Sequence, residues 1–147
     1  MPININQSGE PRRFVNPQII HTKTGDGKEL VVLSGIVLVH LKGNSEAHWL
    51  REELVLGIDI TPILAAGKGL SVEQGAPLVT LNAVYNKNVS NNAGYAVDSC
   101  QLTSLQQAVR YVHVECDVAV RDTDGWLYRI GYYVTLIGTF RDLPRID

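Results

Sequence analysis

Between Val109 and Phe140 apolar and polar residues alternate almost without a break: VRYVHVECDVAVRD, then TDG, then WLYRIGYYVTLIGTF. A period of two places successive side chains on opposite sides of an extended chain, so this stretch predicts half-buried β-strands. The glycine-bearing break at Thr123-Asp124-Gly125 predicts how they meet. A two-residue Asp124-Gly125 turn would mismatch the apolar positions. A three-residue loop, with Gly125 in the left-handed position of a bulge, matches them all. The predicted hairpin sets Val120 opposite Tyr128, Val118 opposite Ile130, Cys116 opposite Tyr132, Val114 opposite Val134 and Val112 opposite Leu136.

The other side of the same hairpin collects the densest set of titratable groups in the chain. Ala119 falls opposite Arg129, Asp117 opposite Gly131, Glu115 opposite Tyr133 and His113 opposite Thr135. The candidate site is therefore His113, Glu115, Asp117, Arg129 and Tyr133. As chemistry it offers an acid or base in His113, a carboxylate to orient it and a guanidinium to stabilise an anion. The same pattern is what the solvent-facing side of any half-exposed antiparallel sheet carries. The two readings differ in one prediction. If the sheet closes into a barrel with this side inward, the charges need a purpose, because unpaired buried charge is costly.

The remaining segments repeat the theme. Gln18–Thr24 reads as a short strand closed by the turn Gly25-Asp26-Gly27. Leu30–Lys42 is a long strand with Val31, Leu33, Val37, Val39 and Leu41 on one side and Leu30, Val32, Ile36 and Leu38 on the other. A strand apolar on both sides predicts cover on both sides. Gly35 in its middle marks a bend or bulge. Leu50, Leu54, Leu56, Ile58 and Ile60 share one parity, interrupted at Glu52, so a strand is expected at least over Leu54–Thr61. Residues 62–77, with three glycines and two prolines, read as a long connection. Leu78–Asn86 and Tyr95–Leu105 add two strands around an asparagine-rich loop. Pro2, Pro11 and Pro17 mark residues 1–17 as an N-terminal arm or an irregular edge. The expectation is one all-β domain over residues 1–147, an antiparallel β-sandwich or small β-barrel of about seven to eight strands with little helix.

Composition narrows the function classes. Thirteen basic against fifteen acidic residues, a net charge of -2, argue against a nucleic-acid or anionic-membrane partner. No apolar run is long enough for a transmembrane helix, and the N-terminus lacks the apolar segment of a signal peptide, so a cytoplasmic setting with reduced thiols at Cys100 and Cys116 is expected. The charged fraction of 19% lies below the roughly 25% usual for soluble domains, which points to self-association.

No cofactor motif occurs. His21, His40, His48, His113, Cys100 and Cys116 lack the close ligand spacing of zinc sites, so no metal is expected. Asp122-Thr-Asp-Gly begins like a calcium loop but has Tyr133 where the closing glutamate belongs. Ala65–Ser71 departs from the phosphate-loop pattern. The functional expectation is a non-enzymatic, homo-oligomeric binding or assembly protein, joined through sheet edges or the N-terminal arm. The first alternative is a small barrel that binds or transforms an apolar molecule, in the manner of a cyclase or isomerase, using the His113, Glu115, Arg129 and Tyr133 face. The second is a carbohydrate-binding module built from Asn86–Asn92 and Trp49 or Trp126.

Overall fold

The computed structural model describes residues 2–40, 49–85, 94–121 and 127–144. Their strands in chain order are β1 (Ile3–Asn6), β2 (Phe14–Lys23), β3 (Glu29–Val39), β4 (Leu50–Asp59), β5 (Lys68–Tyr85), β6 (Gly94–Leu102), β7 (Ala108–Val109), β8 (Tyr111–Arg121) and β9 (Leu127–Asp142). Single 3₁₀ turns at Pro11–Arg13 and Thr61–Ile63 each carry a proline in their first turn, where its missing N–H and fixed φ cost least. The strands form two sheets, β1-β4-β8-β6 and β2-β3-β9-β5-β7, here called sheets A and B.

The sheets pack into a β-sandwich whose interior is filled by the positions that alternation selects. Val112, Val114, Cys116, Val118 and Val120 of β8 are buried, as are Tyr128, Ile130, Tyr132, Val134 and Leu136 of β9 and Val31, Leu33, Val37 and Val39 of β3. All belong to one core cluster. The all-β expectation holds, in its sandwich form and not as a closed barrel.

Three expectations are corrected. First, β8 and β9 do not pair with each other. β8 lies between β4 and β6, with Leu54 beside Cys116 and Leu56 beside Val114. β9 lies between β3 and β5, with Val31 beside Leu136 and Leu33 beside Val134. The chain crosses from one sheet to the other between them, so the matched apolar sets line opposite walls of one core. The connecting turn Thr123-Asp124-Gly125 lies outside the described residues. Only the β2–β3 connection, with Gly27 at φ 85°, stays within one sheet; every other step between consecutive described strands changes sheet.

Second, residues 1–17 are not a free arm. β1 adds to sheet A, parallel to β4, and buries Ile5; Phe14 enters the core. Pro17 sits in a bulge of β2, where Asn16 and Pro17 together oppose Gly35, and Asn16 adopts a left-handed φ of 50°. Third, the expected connection over residues 62–77 becomes strand from Lys68 onward, because β5 follows β9 through Lys68–Asp142 to Tyr85–Leu127 with bulges near Val72 and Leu81. The glycine and proline content is accommodated by an edge position and those bulges.

Candidate functional site

The structure divides the five candidate residues between the two outer surfaces. His113, Glu115 and Asp117 project from β8 on the outside of sheet A. Glu115 sits between Val55 and Gln101, and Asp117 between Glu53 and Ser99. Gln101 Nε2 donates to Glu115 Oε2 at 2.9 Å and Ser99 Oγ to Asp117 Oδ2 at 3.3 Å. With Glu53 and Pro2 these groups line a shallow pocket of about 220 Å³. Among the described residues no hydrogen bond or ion pair joins His113 to Glu115. At the neighbouring pair Gly57 the space that a side chain would fill is occupied by Asn6 Oδ1. This is a polar sheet face on which Glu115 and Asp117 each accept a side-chain hydrogen bond, with no His113–carboxylate pair assembled among the described residues.

Arg129 and Tyr133 project from β9 on the outside of sheet B, with the whole sandwich between them and His113. The hairpin register that would join the five groups does not form, so the barrel alternative with this set lining a closed cavity is corrected. Nor does the structure gather the histidines and cysteines: among the described residues no three His, Cys, Asp or Glu side chains converge as metal ligands. Asn86–Asn92 and Trp126 lie outside the described residues. Trp49 is exposed and reaches over Gly94.

The outside of sheet B has a different character. Its cross-strand rows run Thr22–Leu30–Ile137–Gln74, Ile20–Val32–Thr135–Ala76, Gln18–Ser34–Tyr133–Leu78 and Val15–Ile36–Gly131–Thr80. Ile20 is 61% exposed, Leu78 57% and Tyr133 52%, so large apolar groups stand in water across a sheet face, Tyr133 on its central strand β9 and Ile20 and Leu78 on the outer strands β2 and β5. The adjoining row of Leu38, Arg129 and Ala83 supplies the one charge on these rows, and they hold no carboxylate. A shallow groove of about 370 Å³ crosses the face, lined by Ile36, Leu78 and Tyr133 with Asn16, Gln18 and Asn82 at its margins. The apolar outer side of β3, for which the sequence predicts cover, is only partly covered among the described residues.

Two further features escaped the sequence reading. Glu29 is buried at one end of the sandwich, where its carboxylate meets Lys23 Nζ at 3.1 Å and His21 Nε2 at 3.3 Å; the His21 ring packs edge-on against Phe140. Its position on the inward parity of β3 was the available signal. The Tyr132 hydroxyl is buried without a hydrogen-bond partner among the described residues, and burial pushes it up from an ordinary 10.0 to about 12. It lies over Gly35, whose missing side chain leaves room for the ring, beside a notch of about 310 Å³ between the sheets that Pro17, Ile19, Ile58 and Asp59 line. No protein-family model, curated protein or solved structure matches this chain.

Proposed function

We propose that this protein is a non-enzymatic, self-associating β-sandwich subunit whose outer sheet B face packs on the same face of a second copy. The observation that carries this reading is the contrast between the two outer faces. Sheet A presents mainly carboxylates and amides to water, with the rings of Tyr111 and Trp49 among them, whereas the central rows of sheet B present Ile20, Val32, Leu78, Tyr133 and Ile137 with Arg129 as their one charge and the Lys28–Glu73 ion pair at one end. Soluble monomers rarely leave such a contiguous apolar patch uncovered.

The size of the face supports the same occupant. From the Arg129 row to the Ile137 row is roughly 26 Å at about 3.3 Å per residue, and four strands about 4.8 Å apart span roughly 19 Å, on the order of 500 Å² in plan. Two faces together remove on the order of 1,000 Å² in plan, the lower bound of a specific interface, and their pleated accessible area is larger. Rows with no carboxylate and one guanidinium, bordered by the paired Lys28 and Glu73, offer little to a strongly charged partner but can meet their own copy about a two-fold axis.

Sedimentation velocity over a dilution series tests the reading: association at tens of micromolar is expected, and a monomer throughout overturns it. The ring of amides at Asn16, Gln18 and Asn82 around Tyr133 favours one second reading, a glycan stacked on Tyr133 in the groove. Saturation-transfer NMR with simple oligosaccharides distinguishes it, since a self-covered face gives no transfer.

A further inference from the structure

We propose that Cys100 and Cys116 form a cross-strand disulfide that braces sheet A. The two residues, Cys100 and Cys116, lie far beyond the local spacing of a motif such as CxxC, yet the register of β6 and β8 makes them direct neighbours. Both point into the sandwich: Cys116 is 2% exposed, and Cys100 is half-buried and packs against the same core.

The ladder also sets their geometry. Thr103 N donates to His113 O at 3.2 Å. Hydrogen-bonded and non-hydrogen-bonded pairs alternate along an antiparallel ladder. Stepping from Thr103/His113 through Leu102/Val114 and Gln101/Glu115 therefore makes Cys100/Cys116 a non-hydrogen-bonded pair. Such pairs stand about 4.5 Å apart at Cα with their side chains drawn together, within the roughly 4.4–6.8 Å that a disulfide spans. The bridge closes over the segment that leaves sheet A, contributes β7 to sheet B and returns, and that includes Ser104 and Gln106 at left-handed φ values of 57° and 63°.

The reaction needs a disulfide oxidant, for which oxidised glutathione serves. Cys100, the more accessible thiol, loses its proton and attacks one glutathione sulfur. The glutathione S–S bond breaks and one glutathione thiolate leaves. Cys116 then loses its proton and attacks Cys100 Sγ, expelling the second glutathione. Two protein thiols are oxidised to one disulfide and one oxidised glutathione is reduced to two thiols. Burial first, then the neighbouring Cys100 and Asp117, push the Cys116 thiol up to about 12, so the second step is slow and accelerates as pH rises.

The test incubates the full chain with oxidised glutathione and then quenches it with acid. Thiol titration after denaturation, intact mass and peptide mapping are the readouts. The expected result is loss of both thiols, a mass lower by two hydrogens, a Cys100–Cys116 linked peptide, and a Tm raised by roughly 6–12 °C. Retention of both thiols, arrest at the mixed disulfide, a link between chains, or an unchanged or lowered Tm overturns the proposal. In Cys116→Ser the reaction is expected to stop at glutathionylated Cys100. A Cys116→Ser chain that stays unmodified while still folded by circular dichroism also overturns the assigned order of attack.

Discussion

Replacing Leu78 by lysine is the sharpest perturbation of the proposed interface. Leu78 stands on β5 beside Tyr133 of the central strand β9 and is 57% exposed, so a partner copy seated on this face would bury that remaining fraction. Full burial of a leucine side chain is worth about 1.5–3 kcal/mol, which scales to about 1–1.7 kcal/mol here. A two-fold interface counts each substitution twice, giving about 2–3.4 kcal/mol, or a dissociation constant weakened roughly 30- to 300-fold. The lysine stem can lie along the face and carry its ammonium to the rim, so no larger desolvation cost is added. Sedimentation equilibrium of wild type and Leu78→Lys gives the ratio directly. Gln101→Lys, exposed on the outside of sheet A, changes charge equally and is expected to leave association unchanged. A Leu78→Lys effect below threefold, or an equal effect of Gln101→Lys, would refute the assignment of the interface to sheet B. Thermal melts of both variants within about 2–4 °C of wild type, the shift that about 1 kcal/mol produces at this size, separate interface loss from unfolding.

Two further predictions probe the sandwich itself. Gly35→Ala would place a methyl 2.5 Å from Tyr132 Oη and 2.7 Å from its Cζ, so a loss of about 1–3 kcal/mol in urea unfolding is expected, whereas Gly9→Ala, with open space around it, should stay within about 0.5 kcal/mol. The Tyr132 phenol titrates near 12 in the fold and near its ordinary 10.0 when unfolded. Above the lower value the unfolded chain ionises first, so stability is fully present below about pH 10 and is lost as pH rises through about 12, by about 2–3 kcal/mol. Tyr132→Phe lacks this contribution, and parallel pH–stability curves for wild type and variant would contradict it.

Strand identity and parity were legible because side-chain alternation is local. The buried halves of β3, β8 and β9 are the residues that a period of two selects. Pairing was not legible, because it depends on where the chain goes next. Apolar residues matched across a tight turn look the same whether the strands lie side by side in one sheet or face each other across a core. Val114 and Val134 satisfy both readings, and the partners that decide between them, Leu56 for Val114 and Leu33 for Val134, lie far away in sequence. The candidate site failed with the pairing: a polar cluster inferred from one hairpin comes apart once its strands enter different sheets. Glu29 was missed for the opposite reason: a lone acid at a strand end reads as part of the turn, although the parity of Val31, Leu33, Val37 and Val39 points it inward.

The apolar outer side of β3 is where sequence and structure meet on function. Leu30, Val32, Ile36 and Leu38 called for a second covering layer, and the described part of one chain leaves them only partly covered, in a face shared with Tyr133, Ile137 and Leu78. If a second copy supplies that layer, the outcome is a stack of four sheets in which sheet B of each subunit is internal and sheet A of each is external. The external faces then carry His113, Glu115, Asp117, Glu53 and Ser99, groups suited to water, beside the exposed rings of Tyr111 and Trp49. A face consumed by its own copy about a two-fold axis closes the assembly. The proposed assembly is therefore a closed dimer. Sedimentation boundaries that continue to move faster with concentration beyond the dimer mass would place the contacts on an edge instead of on this face.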